Sequence, residues 1–201
     1  MLNGCIADTA SSSGDPPAID SSARSADSRL ALKAASLPSA GSPADSIRYL
    51  TIDSFPDLPR AVRKELAERG CIVPQASFPR TPHSVVKGEF AARGQTDWAA
   101  LCTRGDTAEI VVVWGGPITC PTPLAPAALQ HQMQRIAANE TGYSRALFAA
   151  SVQYIVEHDR EHTAPRPAAI DHSGINDAFV GKASSIHYCY NGKWFLLPGA
   201  D

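Results

Sequence analysis

The fold is decided by the stretch Ser84–Trp114, whose three strand-forming runs are Ser84-Val85-Val86-Lys87-Gly88-Glu89-Phe90, Asp97-Trp98-Ala99-Ala100-Leu101-Cys102 and Glu109-Ile110-Val111-Val112-Val113-Trp114. β-Branched and aromatic residues are enriched in strands, and glycine-containing links separate the three runs. The run Ile110–Val113 is apolar without alternation, which is typical of a strand covered on both faces. The stretch therefore predicts a β-meander at the centre of an antiparallel sheet.

The strongest helix signal precedes this meander. Leu58, Val62 and Leu66 recur every four positions along 56–70, so they would share one face of a helix. Gly70 suits the C-terminal end, because glycine readily adopts the left-handed conformation that follows many helices. We therefore expect a helix whose apolar face packs on the sheet.

Two further helices are expected after the meander. The segment 127–138 has a helix-forming composition, and Ser151 is placed to cap a helix over 152–158. The chain then returns to strand-forming residues, and Asn191-Gly192 between two such runs is a strong hairpin signal. Together these patterns predict an α+β fold: an antiparallel β-sheet, made of the meander and a C-terminal hairpin, with two or three helices packed on it.

The first 46 residues differ in composition from the rest of the chain. They contain no aromatic residue and are dominated by Ser, Ala, Asp, Gly and Pro. Such a segment cannot bury enough apolar surface to offset its ordering entropy. We therefore predict a disordered tail or tether over 1–46 and a single α+β domain over 47–201.

Charge argues against nucleic-acid binding, and hydropathy argues against a membrane-spanning helix. The formal net charge is −2 and the pI is about 6.3, and no Lys/Arg cluster is long enough to follow a phosphate backbone, so nucleic acid is not an expected partner. No run of about 18 apolar residues occurs, so no membrane-spanning helix is predicted.

The five cysteines show no CxxC spacing, which argues against a zinc ribbon or a thioredoxin-type motif. Cys71 follows the first helix and Cys102 ends a meander strand, so these two residues are a plausible disulfide pair. Cys120 and Cys189 would then pair by elimination, although the sequence leaves three pairings of the four residues open. In a reducing cytosol all four would be buried thiols.

The N-terminal residues Leu2-Asn3-Gly4-Cys5 resemble the lipobox of bacterial lipoproteins. The resemblance implies that Cys5 becomes the new N-terminus and carries acyl chains, so that the protein meets the membrane only through this anchor. Cleavage there requires a basic and apolar leader ahead of Met1. The alternative is a cytoplasmic protein with a frayed N-terminus.

The run His158-Asp159-Arg160-Glu161-His162 fits the H-x-x-E-H pattern of the inverzincin metalloproteases. This resemblance implies a zinc-dependent hydrolase in which His158 and His162 bind the metal and Glu161 acts as the base. That family also needs a later carboxylate ligand, normally Glu, and no Glu follows Glu161. A solvated helix end is therefore the favoured interpretation.

Two loops, 88–99 and 169–180, are similar to the calcium-binding loop of FG-GAP repeats, since both contain Gly-x-x-Asp before a strand. The first carries Arg93 where a ligand would sit, so it is not expected to bind a cation. The second keeps three oxygen-bearing residues, and the resemblance implies a weak Ca²⁺ site at Asp171, Ser173 and Asp177. Calcium prefers six to eight oxygens, so Asp97 and Asp177 could instead tie turns through backbone N–H groups.

These features predict an exported, lipid-anchored, non-enzymatic domain of the bacterial envelope. It would be periplasmic or on the outer envelope and would bind a protein or a glycan. No catalytic residue is assigned, and no cofactor is expected beyond the weak Ca²⁺ or Zn²⁺ candidates. The alternatives are the zinc hydrolase and a soluble inhibitor or immunity-type protein that blocks a partner enzyme.

Overall fold

Most of the chain forms β-structure, because its apolar residues come in short runs separated by turn residues. The computed structural model describes residues 47–158 and 165–200. The helices of this part are α1 (Arg60–Glu68) and α2 (Val152–His158). The strands are β1 (Arg48–Thr51), β2 (Ile72–Gln75), β3 (Val85–Gly88), β4 (Asp97–Arg104), β5 (Thr107–Val113), β6 (Leu124–Ala128), β7 (Met133–Ala137), β8 (Glu140–Tyr143), β9 (Arg145–Ala150), β10 (Gly174–Phe179), β11 (Ala183–Tyr190) and β12 (Lys193–Pro198).

The predicted α+β class is wrong. The twelve strands of the described part form four antiparallel sheets, of which two have four strands and two have two strands. The two helices there are short, with nine and seven residues. The protein is therefore β-rich, and the helices cover sheet faces without forming a layer of their own.

The meander is confirmed as part of a four-stranded sheet, here called the central sheet, with the order β3-β4-β5-β6. Leu101 pairs with Ile110 across β4 and β5, and both side chains are buried in one apolar cluster. Ala100 pairs with Val111, and this pair is buried in a second cluster on the opposite face. The sheet is thus covered on both sides, as the non-alternating run predicts.

The second face of the central sheet is covered by α1 and by the β1–β2 pair. Val62 and Leu66 of α1 are buried there, which confirms the predicted apolar face. Gly70 ends the helix region with a φ of 67°, and the N–H of Cys71 donates to the carbonyl of Leu66 at 3.0 Å. Cys71 then forms a disulfide with Cys102 of β4, with a Cα–Cα distance of 4.9 Å.

The other four-stranded sheet, here called the C-terminal sheet, has the order β12-β11-β10-β9. The predicted hairpin is confirmed: Asn191 and Gly192 have φ angles of 50° and 73° between β11 and β12. Its inner face packs on the central sheet, because Leu147 and Ile175 belong to the same apolar cluster as the first face of that sheet. A second disulfide, Cys120–Cys189, ties the loop after β5 to β11.

The outer face of the C-terminal sheet is partly covered by α2. Ser151 caps this helix as predicted, since its Oγ accepts the N–H of Tyr154 at 3.1 Å. Ile155 of α2 is fully buried against Ile186 of β11. Neither α1 nor α2 is long and apolar enough to cross a membrane, and no other helix of the described residues is.

The predicted helix over 127–138 is wrong. This segment contains the end of β6, a 3₁₀ turn at Leu129–Gln132 and strand β7. Ala127 pairs with Ala108 of β5, and β7 forms a hairpin with β8. Pairing with neighbouring strands therefore overrides the local helix propensity, which is a weak preference.

Asp97 organises the loops at one end of the central sheet. Its Oδ2 accepts the N–H groups of Phe90 and Ala91 at 3.0 and 3.1 Å. Its Oδ1 accepts the Gly115 N–H at 2.9 Å and the Gln95 amide at 2.8 Å. The alternative given above for this residue, that it ties turns, is therefore confirmed.

Replacing Asp97 with Asn should destabilise the protein by about 2–3 kcal/mol, because the new amide group would face N–H donors and leave at least one unpaired. Urea unfolding measures this difference. Asp106→Asn is the control, since Asp106 lies in an exposed turn. Equal stability of the two variants would contradict the assigned role of Asp97.

Candidate functional site

Asp177, a predicted metal ligand, is held by an arginine. It lies on β10 and faces the interior between the two large sheets, where Arg145 of β9 donates to both carboxylate oxygens at 2.8 Å. His187 Nε2 lies 3.4 Å from Asp177 Oδ2. Arg145 also donates to the carbonyls of Ala108 and Ala125, at 2.9 and 2.7 Å. Asp177 thus forms an ion pair within the C-terminal sheet, and Arg145 links that pair to the central sheet through Ala108 and Ala125. The guanidinium occupies both carboxylate oxygens and would repel a cation there.

Burial raises the pKa of Asp177, but other effects outweigh it. The hydrogen bond from His187, and the hydrogen bonds and positive charge of Arg145, together hold that pKa below its usual value. The carboxylate is therefore ionised at neutral pH, in accordance with its bidentate contact. A cleft of about 350 Å³ opens beside this pair, but Nε, Nη1 and Nη2 of Arg145 all bond within the protein. We regard this cluster as structural.

The other predicted metal ligands, Asp171 and Ser173, lie in the loop before β10. The Asp171 N–H donates to the hydroxyl of Tyr188 at 3.0 Å, and that hydroxyl donates to Asp171 Oδ1 at 3.2 Å. Burial raises the pKa of the Tyr188 hydroxyl, so it remains protonated. The ring of His172 stacks on Tyr188 with 4.2 Å between centroids. These contacts give the loop a packing role.

No group of three or more His, Cys, Asp or Glu residues within 47–158 and 165–200 is arranged to hold a metal ion. His158, the first residue of the predicted zinc motif, has its Nδ1 2.8 Å from the Tyr154 carbonyl and its ring stacked on Tyr154. Glu161 and His162 lie outside the described residues, so the hydrolase stays a prediction. Cys5 also lies outside them.

Both expected disulfides are present. Cys71 pairs with Cys102, and Cys120 pairs with Cys189, so the disulfide prediction is confirmed with the favoured pairing. Disulfides persist in oxidising compartments and are rare in the cytosol. The two bridges therefore indicate an extracytoplasmic, oxidising location.

A second candidate site lies on the outer face of the C-terminal sheet, beside α2. We call it the outer groove; its volume is about 380 Å³. Residues of β9, β10, β11, α2 and the β10–β11 turn contribute to it, chiefly Phe148, Tyr154, Asn176, Ala178, Lys182 and Ser184. Pairing places Phe148 directly opposite Asn176, and Ser184 opposite Ala178, so these side chains share one face. The small side chains of Ala178 and Ser184 leave space between the larger ones.

Asn176 is the unusual residue of this groove. Only 8% of it is exposed, and its Oδ1 is a buried acceptor that receives no hydrogen bond within the protein. Leaving a buried acceptor unpaired costs about 1–3 kcal/mol, so most such atoms in folded proteins have a partner. The atom itself has almost no accessible surface, so a ligand donor reaches this acceptor when the Asn176 amide turns toward the groove that the residue lines.

The hydroxyl of Tyr154 lies next to the amide group of Asn176. It accepts the Ala200 N–H at 3.0 Å and lies 3.5 Å from Asn176 Nδ2. Because both contacts use the tyrosine oxygen as acceptor, its own proton remains available for donation into the groove. The groove thus presents a hydrogen-bond acceptor and a donor side by side.

The apolar walls of the groove include the ring of Phe148, a residue that is 37% exposed. Lys182 stands at the rim, with its Nζ 4.9 Å from the centre of the Phe179 ring. A pocket with apolar walls and a few placed polar groups is the usual form of a small-ligand site. The arrangement can therefore bind and orient a ligand.

Sequence reasoning missed the outer groove. Strand parity is the one available signal, because it places Asn176 on the face opposite Ile175 and Asp177 within Gly174–Phe179. That face becomes a groove only when β9 and α2 are placed beside it, and neither neighbour is specified by the strand itself.

The lipobox-like residues and the loop similar to an FG-GAP repeat lie in different parts of the chain. Leu2-Asn3-Gly4-Cys5 lies outside the described residues, so the lipobox stays a prediction. In the loop that resembles an FG-GAP repeat, Asp171 bonds to Tyr188 and Asp177 to Arg145. Comparison of the chain with protein-family models, with curated proteins and with solved structures gives no match.

Proposed function

We propose that this protein is an exported, lipid-anchored and non-enzymatic domain of the bacterial envelope that binds a glycan or a protein through the outer groove. The observation that carries the proposal is the unpaired, buried Oδ1 of Asn176 in that groove. A buried polar atom without a partner is destabilising. Retaining it is reasonable where a bound partner completes the hydrogen bond.

The compartment is supported by the two disulfides. Disulfides form and persist in oxidising compartments such as the bacterial envelope. The lipobox-like Cys5 supplies the anchor in this proposal, and the chain between Cys5 and Ile47 separates the domain from the membrane.

The groove supports binding through the kinds of contact it offers. The exposed ring of Phe148 supplies apolar contact, while Asn176 and Tyr154 supply one acceptor and one donor. Together these groups would select a ligand by its shape and by its pattern of hydrogen-bond donors and acceptors.

Intact-mass analysis tests the anchor. The gene is expressed with its upstream DNA, and the membrane-associated protein is compared with a Cys5→Ser variant. We expect wild-type protein to begin at Cys5 and carry acyl chains, whereas the variant is released unmodified. Wild-type protein with an unmodified Cys5 would rule out the anchor.

Retention of solubilised envelope material on the immobilised mature protein tests the binding function. We expect a glycan or protein component to be retained by wild type and by Leu196→Ala, which removes an exposed apolar side chain from another strand of the same sheet. Phe148→Ala should lose that component. Equal retention by all three proteins, or none by any, would refute binding through this groove.

A further inference from the structure

We propose that the outer groove binds a saccharide ring through two adjacent hydroxyl groups, a proposal that rests on the proposed binding function and specifies its ligand. The three groups that carry it are Asn176 Oδ1, the Tyr154 hydroxyl and the ring of Phe148. A sugar ring combines an apolar C–H face with a rim of hydroxyls that both donate and accept hydrogen bonds. Each of these properties has a counterpart in the groove.

The first contact is made at Asn176 Oδ1. This atom is buried and receives no hydrogen bond within the protein, so the ligand must bring an O–H or N–H donor to it. The residue lies on β10, an inner strand paired with β9 on one side and β11 on the other. Its backbone is therefore held in place before the ligand arrives, which reduces the entropy lost on binding.

The second contact is made at the hydroxyl of Tyr154. Its oxygen already accepts the Ala200 N–H at 3.0 Å and lies 3.5 Å from Asn176 Nδ2, so its proton is available for a further acceptor. A donor and an acceptor on two neighbouring side chains suit neighbouring hydroxyls on one ring, of which one donates to Asn176 and the other accepts from Tyr154.

The third contact is made at Phe148. Its ring is 37% exposed and stands directly opposite Asn176 across the β9–β10 pair. The face of an aromatic ring carries partial negative charge, so it attracts the weakly positive C–H groups of a sugar face. The charged residue at the rim is Lys182, which favours a neutral or acidic saccharide over a cationic one.

An extended peptide fits this groove less well. Peptides that add to a sheet bond to the free backbone groups of an edge strand, whereas the floor of the groove is the face of β10 and β11. Both strands are paired on each side, so their backbone groups are used within the sheet. Recognition on the faces of these two strands therefore runs through side chains, as it does for a sugar.

The test is a titration of the mature, disulfide-bonded protein with cellobiose, maltose, N,N′-diacetylchitobiose and a hexuronic acid disaccharide, with a pool of short peptides as contrast. Nuclear magnetic resonance detects binding up to about 10 mM ligand, since single-sugar sites are weak. We expect at least one saccharide to bind to wild type and to Leu196→Ala, with changes at residues of the groove.

Asn176→Leu is the decisive variant. It removes the unpaired acceptor while keeping a similar side-chain volume, so binding should fall by about tenfold or more, the factor expected for one lost hydrogen bond. Its melting temperature should rise by about 2–4 °C, because a buried unpaired polar atom has been replaced by an apolar group. A purely structural role for Asn176 would instead lower the melting temperature.

The matched control is Asn139→Leu, which makes the same change in an exposed turn. This variant should alter neither saccharide binding nor the melting temperature. Phe148→Ala should weaken saccharide binding while the protein stays folded. If no saccharide binds, but peptides bind and Asn176→Leu abolishes that binding, the saccharide proposal is overturned and the proposed binding function is kept. Failure of saccharides, peptides and envelope material alike would overturn both.

Discussion

Loss of both disulfides should leave the protein at the edge of unfolding at room temperature. The bridges join residues separated by 31 and 69 positions. Restricting the unfolded chain in loops of these lengths stabilises the folded state by about 3.5 and about 4.5 kcal/mol in the chain-entropy model. The loops 71–102 and 120–189 do not overlap, so the contributions add to about 8 kcal/mol. This sum matches the whole stability of many domains, about 5–15 kcal/mol.

Urea unfolding of two pair variants separates the contributions. Cys71→Ala/Cys102→Ala should lower the free energy of unfolding by about 3–4 kcal/mol, and Cys120→Ala/Cys189→Ala by about 4–5 kcal/mol. The second bridge joins the loop after β5 to β11, and it packs beside Trp114 and Trp194, so tryptophan fluorescence reports its loss directly. A reducing agent that leaves the wild-type urea midpoint unchanged would be inconsistent with this expectation.

Elements with a signal in their own residues could be predicted from the sequence. Helix α1 carries Val62 and Leu66 on one face, and helix α2 begins at a Ser151 cap. The hairpin at Asn191-Gly192 needs positive φ angles, which these two residue types tolerate. Each of these features is decided over a few neighbouring positions, so no tertiary contact is needed to recognise it.

The fold class could not be predicted, because its deciding contacts join distant residues. The segment 127–138 is rich in alanine and glutamine, which favour helices, yet Ala127 pairs with Ala108 and Met133 with Tyr143. Helix propensity differs by less than about 1 kcal/mol per residue among ordinary residues, so strand pairing and burial can reverse it. The same reversal turned the expected helix layer into further sheet.

The candidate site was hidden for a similar reason. Asp177 was predicted to be a metal ligand because carboxylates bind metal ions. Its partner Arg145 lies 32 residues away in sequence, and only the fold brings the two together. Asn176 is one position earlier and faces the opposite side of the sheet. Its lack of a partner follows from what β9 and α2 place around it, which no local pattern encodes.

Breaking the ion pair between Arg145 and Asp177 should be strongly destabilising. Both side chains are largely buried, with 4% and 15% exposed, and removing one partner of a buried pair leaves an uncompensated charge, which costs about 3–5 kcal/mol. The loss of stability in Arg145→Met should lie at the upper end of this range, because the substitution also removes the donors to the carbonyls of Ala108 and Ala125. The loss in Asp177→Asn should lie at the lower end of the range. Urea unfolding measures both, with Asp53→Asn as an exposed control.

The pH dependence of stability gives a second measure of Asp177. Its folded-state pKa is lowered by Arg145 and His187 despite burial, so the unfolded state takes up protons first as the solution is acidified. The stabilisation is therefore complete above the unfolded-state value of about 3.9 and is lost as the pH falls through the folded-state pKa. Asp177→Asn should lose less stability than wild type over that acidic range, and equal losses would contradict the assignment.

A double variant distinguishes the ion pair from its surroundings. Arg145→Met/Asp177→Leu removes both charges, and replacing a buried pair with apolar groups is often close to neutral. Here the carbonyls of Ala108 and Ala125 would still lose their donor, so the double variant should remain less stable than wild type but more stable than Arg145→Met alone. If the two single effects simply added, the carboxylate and the guanidinium would not be coupled. The hydrogen bonds from Arg145 to the carbonyls of Ala108 and Ala125 would then stabilise the contact between the sheets independently of Asp177.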